Sequence, residues 1–564
     1  MNQAVQDHTH AHTHDPELRA AARRITEGWA ERRTASYLPR RGLVGGAVAA
    51  LAFGIGLPGS GHAHAAEAEA DAKRLASDPF TLGVASGDPK PDSVLLWTRL
   101  APRPHEPGGG LPKGKITLQW EVAHDARFSR IVKRGKVTAH PEVHHSVHLE
   151  VKGLDNDRVY HYRFRTGDWI SPAGRTRTAP ARTARITDVK LAAVSCQAYH
   201  EGYFTAYRHL ADEDLDLVVH LGDYLYEYGV NAAGGAREYT DRTLPAHFNR
   251  ETRTLGEYRL RYGLYRSDPD LQAAHAAHPF VLTWDDHETE NNYAAGRAEA
   301  EGVPPEEFLL RRAAAYRAYW ENQPLRLPQR PKGPDMRLYR RLHYGRLAQF
   351  DVLDTRQYRS DQLYGDGWHP PGPELDDPAR TMTGAAQERW LLDGWRDSGA
   401  TWNILAQQVT FARRRDAPGA GHRVDMDSWD GYPAARRRLL DGARTAGIGN
   451  LMILTGDVHV AYGFDLKADW DDPRSRTLGT EIATTSVSSG GDGSDRPGNY
   501  EDLTRANPHL RFFNGRRGYT TVTLSERRAR ADFRTVAAVT VPGAPITTAA
   551  SFVTEAGDPG LKPV

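Results

Sequence analysis

Four short apolar runs, each breaking off into a loop of acids, histidines or a thiol, limit what this chain can fold into. The clearest is residues 215–226, LDLVVHLGDYLY. A run such as 215–221 reads as a strand buried on both faces. Asp223 then stands just past the carboxyl end of a core strand, where open α/β sheets bind ligands, with Tyr226 three residues on. Residues 189–194 (VKLAAV) break into Ser195-Cys196-Gln197. Residues 280–284 (FVLTW) break into Asp285-Asp286-His287-Glu288, with Asn291-Asn292-Tyr293 beyond. Residues 451–454 (LMIL) break into Thr455-Gly456-Asp457-Val458-His459. Four such endings bring Cys, Asp, Tyr, Asp, His, Asn, Asp and His to one edge of a sheet, a donor set that packing alone does not explain.

A length of 564 residues predicts two domains, one of them large. The net charge of +1 gives no basic excess, so a nucleic-acid-binding role is not expected. Cys196 is the single cysteine, so the fold does not depend on an intramolecular disulfide. A lone thiol after a strand is either a buried small hydrophobe or a ligand, and its place between Ser195 and Gln197 favours the ligand.

Along the chain, residues 1–65 read as an export leader. His8, His10, His12 and His14 lie in a polar start expected to be disordered. Arg40-Arg41 precedes an apolar run at 44–57, and Ala63-His64-Ala65 is a small-x-small cleavage signal, so the mature chain begins near Ala66. The paired arginines are similar to a twin-arginine signal. The apolar run is shorter than the roughly 20 residues of a membrane span, so no membrane span is expected. Residues 75–182 alternate apolar and polar positions between turn clusters, predicting a small N-terminal all-β sandwich domain with strands at 80–89, 93–100, 115–123, 136–151 and 159–167. Its His144, His145, His148 and His161 are expected on an exposed face.

From 188 to 545 strands interleave with helices, at 306–323 and 385–396 among others, which predicts an α/β layered domain. Residues 518–524 and 536–540 are expected to close a sheet near the C-terminus. Arg413–Arg415 and Arg436–Arg438 read as solvated faces, and 489–498 (SGGDGSDRPG) as a flexible loop.

The ordered set SCQ (195–197), GDYLYE (222–227), WDDHE (284–288), NNY (291–293), LDTRQYR (353–359) and GDVH (456–459), with LGVASGDP and SVLLWTRL at 82–100, resembles the PhoD-type alkaline phosphatases, relatives of the metallophosphoesterases and purple acid phosphatases. The resemblance implies an α/β layered sandwich of two mixed β-sheets flanked by helices. It implies Fe³⁺ held by Cys196, Asp223, Tyr226 and His459, with Asp223 bridging to Ca²⁺. Asp286, Asn292 and Asp457 then supply the calcium side. The chemistry is coherent: two cations roughly 3.5–4 Å apart can neutralise a phosphate ester and activate a hydroxide to attack phosphorus. Thiolate and phenolate suit Fe³⁺, and carboxylate and amide oxygens suit Ca²⁺.

His287 is expected to donate a proton to the leaving group or to hydrogen-bond phosphate, with a loop-capping role as the structural alternative. Arg356 is expected to clamp phosphate bidentately. Asp354 either ligates a metal or orients Arg356. Arg359 and Arg317 are expected to be solvated or structural, and Glu227, Glu288, Glu290 and Tyr293 to support the loops. The resulting expectation is a secreted, monomeric alkaline phosphatase or phosphodiesterase acting on phosphate esters, exported by the twin-arginine translocation machinery. A phospholipase D-like or teichoic-acid phosphodiesterase is the alternative on the same site, and a non-catalytic secreted metal-binding protein is the alternative of another class.

Overall fold

The computed structural model describes residues 75–230, 237 and 244–564. The expected leader at 1–65, with its histidines and Arg40-Arg41, lies outside the described residues.

A ten-stranded sheet has at its centre the parallel strands Asp188–Val194, Leu217–His220 and Pro279–Leu282. Val218 stands opposite both Ala192 and Phe280. Every residue of the last two strands is buried, His220 included. A seven-stranded sheet places Ala348–Val352, Trp402–Ala406, Leu451–Thr455 and Thr477–Ala483 side by side and parallel.

Side chains alternate across each sheet with period two. Leu191, Ala193, Leu217, Val219 and Val281 of the first sheet share one apolar cluster with Phe350, Ile404, Met452, Leu454 and Ile482 of the second. Their sequence neighbours Ala192, Val194, Val218, Phe280 and Leu282 pack instead with helices Thr205–Ala211, Leu255–Arg266, Pro269–Ala277 and Pro305–Asn322. On the second sheet Leu405, Leu451 and Ile453 cluster with helices Gly384–Arg396 and Pro433–Thr445. The helices begin where local chemistry starts them. Thr254 and Glu257 form a reciprocal capping box, and Asp268 caps a helix whose first residue is Pro269.

The N-terminal strands pack on one another around an apolar cluster of their own, which includes Val84, Leu96, Leu118, Val147 and Tyr162, and part of them also joins the large sheet. Val84–Lys90 pairs in parallel with Pro279–Leu282, and Ser93–Arg99 and Ser146–Lys152 continue the same ten-stranded sheet outward. Only Ile116–Ala123, Ile131–Ala139, Val159–Thr166, Trp169–Ile170 and Gly174–Arg177 form a sheet of their own. The strand expected at 136–151 is broken by a short 3-10 turn at Pro141–Val143, because proline removes a ladder donor. At the other end Ile546–Glu555 and Asp558–Pro563 carry the large sheet past residue 545, and of 536–540 only Val536 is in a strand.

Several polar residues expected in solvent are interior. His144 and His145 are buried, and the His144 ring lies 3.4 Å from the Arg99 guanidinium. The His148 ring stacks on Trp320 with centroids 3.9 Å apart, a partner 172 residues away that alternation cannot reveal. Arg414 and Arg436 are buried in ion pairs with Asp425 and Asp430. Among the described residues, no helix is long and apolar enough to cross a membrane.

Candidate active site

The carboxyl ends of the two parallel groups of strands converge, and a bridge between Ser195 and Ser486 joins them there. Loops from the first sheet carry Cys196, Asp223, Tyr226 and residues 285–288. Loops from the second carry residues 354–356, Asp457 and His459.

Five of the expected ligands adopt left-handed backbone: Cys196 (φ 58°), Asp223 (57°), Asn292 (47°), Asp457 (65°) and His459 (56°). Such a conformation costs a non-glycine residue about 1–3 kcal/mol. Just past strand ends it brings Cys196, Asp223, Asp457 and His459 into the donor groups described next, whereas the Asn292 side-chain amide donates to Asp366. Gly222 fits here for a related reason: a Cβ on it would stand 2.4 Å from Asp285 Cβ, and its φ is 112°.

Three overlapping donor groups result, each with ligand atoms within 4.8 Å of one another: Cys196, Asp223 and His459; Asp223, Asp286 and His287; and Asp285, Asp286 and Asp457. Asp223 belongs to the first two and Asp286 to the last two, so the donors form a continuous line. Tyr226 sits at the thiol end, its hydroxyl 3.0 Å from Asp223 Oδ2 and 2.9 Å from His459 Nε2.

Buried carboxylates rigidify the loops. Glu288 accepts the backbone N–H groups of Asp223 (3.1 Å), Tyr224 (2.7 Å) and Asp285 (2.9 Å), which ties two loops together. Glu227 accepts from Nδ1 of His287 at 2.8 Å and from the backbone N–H of Asn291 at 2.8 Å. The backbone N–H of Asn292 donates to Asp286 Oδ2 at 2.7 Å.

Asp354 and Arg356 depart from expectation. Asp354 spends its carboxylate on its own turn, accepting the N–H groups of Arg356 and Gln357 and the amide of Gln357. It belongs to none of the donor groups, and its contact with Arg356 is to the backbone N–H alone. Arg356 is fully buried and donates to Asp285 (2.5 Å), Asp427 (2.8 Å) and Asp457 (3.4 Å), with Asp286 at 3.6 Å. Its fork is committed to carboxylates, so it is not a free phosphate clamp. Arg359 is also buried, on Asp427. Arg317 pairs with Glu321, away from these loops.

Asp285, Asp427 and Ser489 escaped the sequence reading. Asp285 adjoined a chosen residue and could have been found. Asp427 follows no apolar strand and gives no signal. Ser489 opened a stretch read as a flexible loop, yet it is fully buried and donates to the Tyr226 hydroxyl.

Burial pushes Cys196, Asp223, Tyr226 and Asp457 well above their ordinary pKa values, and neighbouring acids add to the effect. Asp286 alone is held below the carboxylate range, because Arg356 and His287 outweigh burial. Burial opposes charge on His287, but Glu227, Asp286 and Asp223 prevail and raise it well above the usual histidine value. Asp223 Oδ1, Asp285 Oδ2 and Asp286 Oδ1 are buried without a hydrogen-bond partner. An orphaned buried oxygen is costly, and three on one line of donors fit cation binding, which would reverse the upward shifts.

Residues 191–533 match the family model for PhoD-like phosphatase, and residues 64–180 the model for its N-terminal domain. The chain is 49% identical over 495 residues to alkaline phosphatase D of Bacillus subtilis (strain 168), spanning 87% of this chain and 84% of that protein. The solved structure of PhoD superposes with a TM-score of 0.84 at 48% identity, over 87% of this chain and 93% of that one.

Proposed function

The chain belongs to the PhoD-like phosphatase family, and from that premise we propose that it is a metal-dependent alkaline phosphatase that hydrolyses phosphate esters. The observation that carries this reading is the unbroken line of donors from Cys196 through Asp223 and Asp286 to Asp457, with three orphaned carboxylate oxygens along it. The donor chemistry changes along the line. Cys196, Tyr226 and His459 with Asp223 suit Fe³⁺, while Asp286, Asn292 and Asp457 are hard oxygen donors that suit Ca²⁺, with Asp223 shared. Such ions supply the positive charge that offsets a phosphate ester and activates water.

The chain's own groups do the rest. Glu227 fixes His287 by Nδ1 and favours its protonated form, which suits it to protonate a departing alkoxide. Arg356 holds Asp285, Asp427 and Asp457 at fixed spacing, and Glu288 holds the loops that carry Asp223 and Asp285. The two mixed sheets with a shared apolar face, covered by helices, support reading the fold as a layered sandwich. The Arg40-Arg41 pair and the apolar run that follows it support export by the twin-arginine pathway.

The test is hydrolysis of p-nitrophenyl phosphate and bis-p-nitrophenyl phosphate at alkaline pH, with calcium, before and after chelation, on protein of known iron content. Chelator-sensitive monoester turnover is expected. Faster diester turnover would move the substrate toward phospholipids or teichoic acids, and no turnover by iron-containing protein would overturn the reading in favour of a binding protein.

A further inference from the structure

The turn that follows strand Thr477–Ala483 is built from serines that all face inward. Ser486, Ser488 and Ser489 are fully buried. The backbone N–H groups of Ser488 and Ser489 point to the Cys196 carbonyl at 3.4 and 3.3 Å. The Ser488 hydroxyl donates to the Ala198 carbonyl at 2.9 Å. The Ser489 carbonyl accepts from the Ser486 hydroxyl and from Arg517 Nη1, each at 2.6 Å. This turn grips the Cys196 loop from behind and is itself pinned by Arg517.

The Ser489 side chain reaches forward. Its Oγ accepts the Ala198 N–H at 3.0 Å and stands 2.8 Å from the Tyr226 hydroxyl. A serine hydroxyl has one proton. The Ala198 N–H occupies a lone pair, so the proton is free to go to Tyr226. The other neighbours of the Tyr226 oxygen are Asp223 Oδ2 and His459 Nε2, both expected ligands.

We infer that Ser489 is a positioning residue for the iron end of the site: its hydroxyl donates a hydrogen bond to the Tyr226 phenolate and tunes how strongly that oxygen gives electron density to the metal. The inference rests on the reading of Tyr226 as an iron ligand. A phenolate that accepts a charge-assisted hydrogen bond keeps part of its charge on the donor, so it is a poorer donor to Fe³⁺. Removing the bond makes Tyr226 a stronger donor and lowers the energy needed to move an electron from phenolate to iron. Partners beyond the immediate ligands commonly set ligand strength in this manner.

The experiment is visible absorption and resonance Raman spectroscopy of the iron-loaded full chain, with iron measured in each sample, for the wild type and the S489A, S489C, S489T and Y226F variants. The expected result is a tyrosinate-to-iron band in the wild type that is lost in Y226F. It moves to longer wavelength in S489A, moves less in S489C, whose thiol is a weaker donor, and returns toward the wild-type position in S489T. Iron-bound S489A or S489C with an unmoved band and unmoved phenolate ring modes would overturn the role of Ser489. Absence of any tyrosinate band from iron-containing wild type would overturn the parent reading of Tyr226, so the two failures are distinct.

Discussion

Replacing Arg356 with methionine separates bracing from substrate binding. The guanidinium lies among Asp285, Asp286, Asp427 and Asp457 with no solvent exposure. Methionine keeps much of the volume and removes the charge, leaving the four acids to repel one another. Removing one partner of a buried ion pair costs about 3–5 kcal/mol. Unfolding entropy of roughly 2.1 cal/mol/K per residue makes a chain of this size lose about 1 °C of Tm per kcal/mol, so Arg356→Met should lower Tm by ~3–5 °C. Arg356→Lys restores charge without the fork and should fall between the two. The assay is calorimetry at neutral pH on protein of measured metal content, beside Michaelis–Menten kinetics. Both kcat and retained metal should fall. An unchanged Tm and metal content with a raised KM alone would refute the bracing argument and restore Arg356 as a phosphate clamp.

Other substitutions read different parts of the molecule. Cys196→Ser should lose iron and lower activity by at least ~10-fold, measured by elemental analysis beside turnover. His287→Asn should slow turnover by roughly 10²–10⁴-fold on an alkyl ester, and far less on a nitrophenyl ester, whose leaving group needs little protonation. Buried His144 has its pKa lowered, first by desolvation and then by Arg99. The unfolded chain therefore takes up its proton first, near pH 6.5. Stability falls as pH drops below that value, by up to ~1.4 kcal/mol per pH unit from this one residue. Urea midpoints at pH 7.5 and 5.5 should show a smaller acid loss in His144→Gln than in the wild type.

The site was legible where a strand announces its own end. Residues 217–219 and 451–454 are apolar throughout, so the residues just past them had to be loops at one sheet edge, and Asp223, Asp457 and His459 followed. The family resemblance read from those motifs agrees with the matches to PhoD-like phosphatases. What the sequence concealed depends on partners distant in the chain. Asp427 matters because it accepts from Arg356, 71 residues away. Arg356 looked like a phosphate clamp because its four carboxylates are assembled only by folding. The C-terminal strand Ile546–Glu555 is half solvent-facing, so its apolar alternation was too weak to read.

Pairing of Val84–Lys90 with Pro279–Leu282 also orders events during synthesis. The strand at 84–90 leaves the ribosome nearly 190 residues before its parallel neighbour, and strand Asp188–Val194 waits more than 320 residues for its antiparallel partner Gly518–Ser525. Until both arrive, the middle of the large sheet has open, apolar edges. Contacts of such sequence separation slow folding. A growing chain of this design cannot finish its catalytic half first and add the rest later. Nearly the whole polypeptide must be present before the loops that bear Cys196 and Asp223 acquire a rigid base.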